Sequence, residues 1–282
     1  MNEEALESTL STYTASDGDN LAVQDWPLPQ EVRPRATVLV VHGLGEHAGR
    51  YDGLARQLNR WGYAVRGYDQ YGHGKSGGLR GTVPQQQRLL DDLADLVEST
   101  RNRTPDIPLF LLGHSLGGLV AAGFVSRGTV PVDGLVLSSP ALAPRLNAVQ
   151  KLLLAIVPRL APNLTVSNGV DPHFLSHDRA VVQAYCKDPL VHDRISGRLA
   201  RFIADEAERV RSCAPSWRVP TLLMYAGGDR IVDPRGSHTF AAAAPRNVVT
   251  AQCFDGYYHE IFNERRAQPV FTRLRHWLDA RF

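Results

Sequence analysis

The chain has 282 residues, of which 43% are hydrophobic and 21% charged, with a net charge of +2 at neutral pH. That length suits one large core or a core with a small inserted domain, and the composition is that of a soluble globular protein. A balance so near neutrality, with scattered basic residues, excludes function through nucleic acid or a polybasic membrane patch. The three cysteines, Cys186, Cys213 and Cys253, form no C-x-x-C pair. They argue against a zinc site and a disulfide framework and for a reducing compartment. The acidic start, MNEEALEST, has no signal-like apolar region, and the longest apolar stretch, near residues 152–157, is too short to cross a bilayer. The expected location is cytoplasmic.

In chain order, residues 9–23 predict a hairpin around the turn Ser16-Asp17-Gly18-Asp19, and a Pro/Arg loop follows. The run Thr37-Val38-Leu39-Val40-Val41 lacks polar alternation and so reads as a strand covered on both faces. Helical spacing over 51–61, closed by Gly62, leads to a strand at 63–68 and a glycine-rich stretch from Gly72 to Gly78. That stretch lacks the spacing of a phosphate loop, and it reads as a sharp turn after a strand. A helix over 89–97, a strand at 109–112, a helix over 116–125 and a strand at 134–138 continue the alternation. Such alternation predicts a mostly parallel sheet flanked by helices. The rhythm then breaks. Residues 144–217 hold helix-like pieces at 146–160 and 198–210, joined by a loop rich in Pro, His and Asp, with no clear buried strand. A strand at 221–225, a helix at 238–244, a strand at 248–254 and a helix at 270–278 resume the pattern. The expected organisation is a core of 1–143 and 218–282 with a helical cap, 144–217, inserted.

The sharpest chemical signal is Gly113-His114-Ser115-Leu116-Gly117-Gly118. It fits G-x-S-x-G between a strand and a helix, the context in which this motif lifts a serine above the sheet of an α/β-hydrolase. A serine hydroxyl needs a base, and in this fold the acid and then the histidine follow it in the chain. Asp229 ends the strand near 221–225. Asp233 lies in the following loop, and Asp255 stands too close to the histidine region. Among the histidines, His259 follows the strand at 248–254, whereas His276 falls within the last helix. Ser115, Asp229 and His259 are therefore the expected triad. The oxyanion donors are expected from the N–H of Leu116 and, in the turn His42-Gly43-Leu44-Gly45, from that of Leu44.

The motifs His42-Gly43-Leu44-Gly45-Glu46-His47-Ala48-Gly49-Arg50-Tyr51, Asp69-Gln70-Tyr71-Gly72-His73-Gly74-Lys75-Ser76 and Gly113–Gly118 resemble those of monoacylglycerol lipases, α/β-hydrolases related to lysophospholipases. So do Tyr185-Cys186-Lys187-Asp188-Pro189-Leu190, Gly228-Asp229-Arg230-Ile231-Val232-Asp233 and Tyr258-His259-Glu260. The resemblance implies hydrolysis of a fatty acyl ester of glycerol, without metal or organic cofactor. It also implies that Glu46, Arg50 and Tyr185 line the alcohol side of the pocket. For Glu46 and Arg50 the plain alternative is an i,i+4 ion pair at a helix start. Leu44 is bulkier than the small residue found in some relatives. Related esters, lysophospholipids above all, and acyl transfer are the neighbouring activities; a catalytically silent binding module is the remote one. The stretch 146–160 is apolar on more than one face and has few flanking cations. It predicts a helix that closes an acyl tunnel and makes weak peripheral contact with lipid.

Overall fold

Uninterrupted apolar runs need cover on both faces, and here they fill the middle of a single sheet. A computed structural model describes residues 6–143, 145 and 160–281. The strands β3 (Thr37–Val41), β5 (Leu109–His114), β6 (Gly134–Ser138) and β9 (Thr221–Ala226) are buried throughout. With β1 (Thr9–Thr14), β2 (Asn20–Trp26), β4 (Ala64–Tyr68) and β10 (Val249–Phe254) they form an eight-stranded sheet of order β1-β2-β4-β3-β5-β6-β9-β10. Pairing is parallel from β4 to β10, and antiparallel only at the edge made by β1 and β2.

Alternation along the strands builds two cores, because successive side chains point to opposite faces. Leu39, Val41, Leu111, Leu137 and Leu223 pack on one face against α2 (Arg88–Arg103), α3 (Leu116–Arg127), α5 (Gly197–Cys213) and α6 (Pro234–Ala243). Val38, Val40, Phe110, Leu112, Val136 and Met224 pack on the other against α1 (Asp52–Arg60) and α7 (Gln268–Asp279). Each fully buried side chain of this size contributes roughly 1.5–3 kcal/mol.

Between β6 and β9 the described chain adds no strand to this sheet, and those two strands pair directly. The segment holds α4 (Arg179–Lys187) and a small antiparallel ribbon of β7 (Thr165–Ser167) and β8 (Arg194–Ser196). The sequence predicts a loop where α4 lies; its expectation of no clear buried strand agrees with the ribbon, most of whose residues are exposed or half-buried. The segment's signals are local: the Asp178 carboxylate caps α4 by accepting the Ala180 N–H at 2.9 Å, and the ribbon is only three pairs long. Likewise α6 begins four residues before the expected 238, because Asp233 caps it through the Arg235 N–H with Pro234 at its first position. The helix expected over 146–160 lies outside the described residues, apart from an exposed Leu160.

Helix α3 meets the sheet without clearance. A Cβ on Gly117 would enter the van der Waals shell of the Val41 and His42 carbonyl oxygens, and one on Gly113 would strike the Gly117 carbonyl. Gly117→Ala should therefore lower stability by about 3 kcal/mol, the upper range for overpacking, as read from urea unfolding.

Candidate active site

Strand β5 ends at His114 and α3 starts at Leu116, which leaves Ser115 to make the turn alone, at φ 52° and ψ −118°. A non-glycine residue in that region is strained by about 1–3 kcal/mol. The surroundings hold it there. The Ser115 N–H donates to the Ser138 carbonyl, and the Ser115 carbonyl accepts from Leu119 and Ala141, each at 3.0 Å.

Asp229 follows β9 through Gly227 and Gly228, and His259 follows β10. Although 30 residues apart, they meet in a buried pair: His259 Nδ1–H donates to Asp229 Oδ2 at 2.7 Å, with both side chains about 3% exposed. The other carboxylate oxygen accepts the N–H groups of Ile231 at 2.8 Å and Val232 at 3.0 Å. Burial alone would raise the Asp229 pKa, but His259 and these donors overcome it and hold the carboxyl below its ordinary value. Burial alone would lower His259, but Asp229, helped by Glu260 and Glu46, lifts the imidazole above its ordinary 6.5. The rival residues are engaged elsewhere. Asp233 caps α6, Asp255 faces the Cys253 thiol, and His276 is exposed on α7.

The turn after β3 is locked from below. His42 is fully buried; its Nδ1–H donates to the Gly43 carbonyl at 2.7 Å and its Nε2 accepts the Gln70 N–H at 2.9 Å. Burial drives its pKa down, so the ring stays neutral and can serve both bonds. Glu46 Oε1 accepts the Gly43 N–H at 2.6 Å and the Tyr51 hydroxyl at 2.7 Å. Among the described residues, the N–H groups of Leu44 and Leu116 donate to no protein acceptor, and both residues line the same cavity as Ser115 and His259.

That cavity, about 410 Å³, is largely apolar, with Leu164, Val170, Leu175, Ile195, Ile203 and Ile231 among its lining residues. Its polar side gathers Glu46, Arg50, Tyr185 and Glu260. Arg50 forms the i,i+4 pair with Glu46 and a second ion pair with Glu260 at 2.8 Å, while its guanidinium sits 4.8 Å over the Tyr185 ring. The plain alternative for Glu46 and Arg50 is thus present, and the same residues also face the cavity. Burial pushes the Glu46 pKa up, but Arg50, together with His114, His42 and the Tyr51 hydroxyl, outweighs it and the carboxyl is held at about 2. Beside them His114 packs its ring 4.7 Å from that of His259. Burial, with His259 next, depresses His114 to about 4, so it is neutral at physiological pH. Glu260 escaped the sequence reading of the pocket; its only signal was its place beside His259.

A mostly parallel sheet with a strained serine at the turn between β5 and α3 defines the class: the protein is an α/β-hydrolase, and a hydrolytic enzyme. The family described as serine aminopeptidase, S33 (Hydrolase_4), matches residues 32–266, and the chain belongs to that family. It is 34% identical over 280 residues to an uncharacterized abhydrolase domain-containing protein of Dictyostelium discoideum, covering 98% of this chain but only 29% of that one. It is 32% identical over 252 residues to a monoacylglycerol lipase of Mycolicibacterium smegmatis, covering 87% of this chain and 88% of the relative. The crystal structure of Paleococcus ferrophilus monoacylglycerol lipase superposes with a TM-score of 0.82 at 32% identity, covering 98% of this chain and 100% of the other.

Glu46→Gln should lower stability at pH 7 by about 3 kcal/mol, the scale for breaking a buried ion pair. Because the folded-state pKa is depressed, this stability is present above the ordinary glutamate value of 4.5 and is lost as pH falls towards about 2. The difference between variant and wild type in urea unfolding should shrink over that window.

Proposed function

We propose that the protein is a serine esterase that hydrolyses monoacylglycerols to fatty acid and glycerol through an acyl-serine intermediate. The observation that carries this reading is the buried Asp229–His259 pair at 2.7 Å, whose imidazole lines one largely apolar cavity together with Ser115. With Nδ1–H committed to Asp229, His259 Nε2 is left as the base. It takes the Ser115 proton as the hydroxyl oxygen attacks the ester carbonyl. The Leu44 and Leu116 N–H groups receive the oxyanion. The carbon–oxygen bond to glycerol breaks, and glycerol leaves with the proton from His259. Water then gives its proton to His259 and attacks the acyl carbon, and Ser115 leaves reprotonated, releasing the fatty acid.

The apolar lining suits an acyl chain, and the cluster of Glu46, Arg50 and Tyr185 suits a polyol, which needs both donors and acceptors. Burial, then the Glu46 charge, keeps the Tyr185 hydroxyl protonated, so it can do both. The family description names an aminopeptidase, whose substrate carries an ammonium group. Here the two acidic side chains among the described lining residues, Glu46 and Glu260, are already ion-paired to Arg50. That favours an uncharged head group. In this reading residues 144–217 form the cap over the acyl cavity, and free Cys186, Cys213 and Cys253 fit a cytoplasmic protein. A second reading, a lysophospholipid substrate, is favoured by Arg145. This exposed cation lines the cavity and donates to the Asp229 backbone carbonyl at 2.9 Å.

A fluorophosphonate probe should label the wild type and not Ser115→Ala, whose turnover should fall at least about 10⁴-fold; labelling of neither would leave only a binding module. Asp229→Asn should reduce kcat by about 10⁴-fold. The acid limb of kcat/KM should lie above the ordinary imidazole value in the wild type, since activity is lost as His259 gains a proton, and should move to lower pH in Asp229→Asn. Monoacylglycerols should outcompete lysophosphatidylcholine and p-nitrophenyl esters in a substrate panel. The reverse order would support the second reading.

No described helix is long and apolar enough to cross a membrane. Leu160, Leu164 and Val166 are exposed, at 81%, 55% and 53%, and Leu164 and Val166 also line the cavity. Weak hydrophobic contact of this side with lipid fits the reading. The protein should float partially with neutral phosphatidylcholine vesicles, independently of salt. Complete absence of retention with full esterase activity would remove this contact.

A further inference from the structure

The segment leading into α4 lies along the loop that carries His259. The Glu260 N–H donates to the Leu175 carbonyl at 2.8 Å, and the His259 N–H reaches the Phe174 carbonyl at 3.4 Å. Next to these bonds one buried carboxylate gathers donors from both segments. Glu264 Oε1 accepts the Tyr258 N–H at 2.8 Å and the His177 Nδ1–H at 2.7 Å. Its Oε2 accepts the N–H groups of Arg265 at 3.2 Å and His177 at 3.3 Å. The Tyr258 ring lies flat on the His177 ring, with centroids 3.7 Å apart and planes 20° from parallel. The Ser176 hydroxyl closes the seam by donating to the Asn263 carbonyl at 2.8 Å.

None of these groups takes part in the proposed cycle, yet they converge on the peptide that precedes the base. Loops move on their own unless tied. A loop that must present an imidazole to both a carboxylate and a serine tolerates little movement, since a displacement of about 1 Å can reduce rate about 10²-fold. Bonds to an ionised acceptor are the stronger kind, and here one acceptor serves residue 258 and the cap segment together.

We propose that Glu264 is a positioning residue: its carboxylate fixes the backbone on which His259 stands and fastens the 174–178 segment to it, so that the imidazole and the base of the cap hold one register. The proposal rests on His259 being the base. Glu264 touches no substrate, and its effect passes through the Tyr258 peptide and the His177 ring.

The test is steady-state kinetics on a soluble p-nitrophenyl ester, which keeps lipid contact out of the readout, with Glu264→Ala and Glu264→Gln. In the alanine variant kcat should fall about 10- to 100-fold, with KM within about threefold. The glutamine variant, which keeps one acceptor oxygen, should retain more. The acid limb of kcat/KM should move to lower pH in both variants. The groups facing His259 are Asp229, Glu260, Glu46 and the neutral His114, and a loosened ring loses part of what Asp229 contributes. A purely structural role would lower Tm and leave kcat and the limb in place, and that result overturns the proposal. Should the alanine variant not fold, unchanged kcat and an unchanged limb in the glutamine variant overturn it equally. His259→Ala separates the two claims. If it keeps wild-type turnover the base assignment fails, whereas an inactive His259→Ala beside a silent Glu264→Ala rejects the positioning role alone.

Discussion

The structure depends on one strained residue. Ser115 sits at positive φ because the chain must reverse between β5 and α3 within a single position. That position is tenable only because its backbone is tied to β6, to α3 and to Ala141, and because glycines on both sides let α3 approach β3. The strain is small beside the burial of the surrounding strands, whose apolar side chains fill both cores. The sheet therefore serves as the rigid support for the serine turn, and the helices on both faces keep that support dry.

Around this turn, among the described residues, buried charges are found in pairs. Glu46 and Glu260 share Arg50, Asp229 holds His259, and Glu264 holds His177. The histidines that lack a carboxylate, His42 and His114, are instead driven neutral by burial. The result is a site in which one imidazole, that of His259, is raised above its ordinary pKa while its buried neighbours are lowered. Environment rather than residue type separates their roles.

Much of this could be read before any coordinates. Uninterrupted runs such as 37–41 marked parallel strands, and the glycines around Ser115 marked the turn. Chain order singled out Asp229 and His259, which the fold does bring to 2.7 Å. Part of what stayed hidden depends on partners distant in the chain. No periodicity announces that Glu260 reaches back 210 residues to Arg50, or that Gln70 fixes the tautomer of His42 from 28 residues away. The ribbon of β7 and β8 and the short α4 are too brief to carry a period of their own. The early start of α6 is visible only once Asp233 is recognised as its cap rather than as a rival acid.

The direct pairing of β6 with β9 has an evolutionary corollary. The two ends of the intervening stretch are neighbours in the sheet, so chain of almost any length can leave and return there without altering a strand register. Doubling such an excursion adds only about 0.6 kcal/mol of closure entropy. Insertions and replacements at this one doorway would remodel what enters the cavity while the serine turn, paired by β3 and β6 on either side of β5, keeps its geometry, so selectivity can drift where the reaction chemistry is conserved.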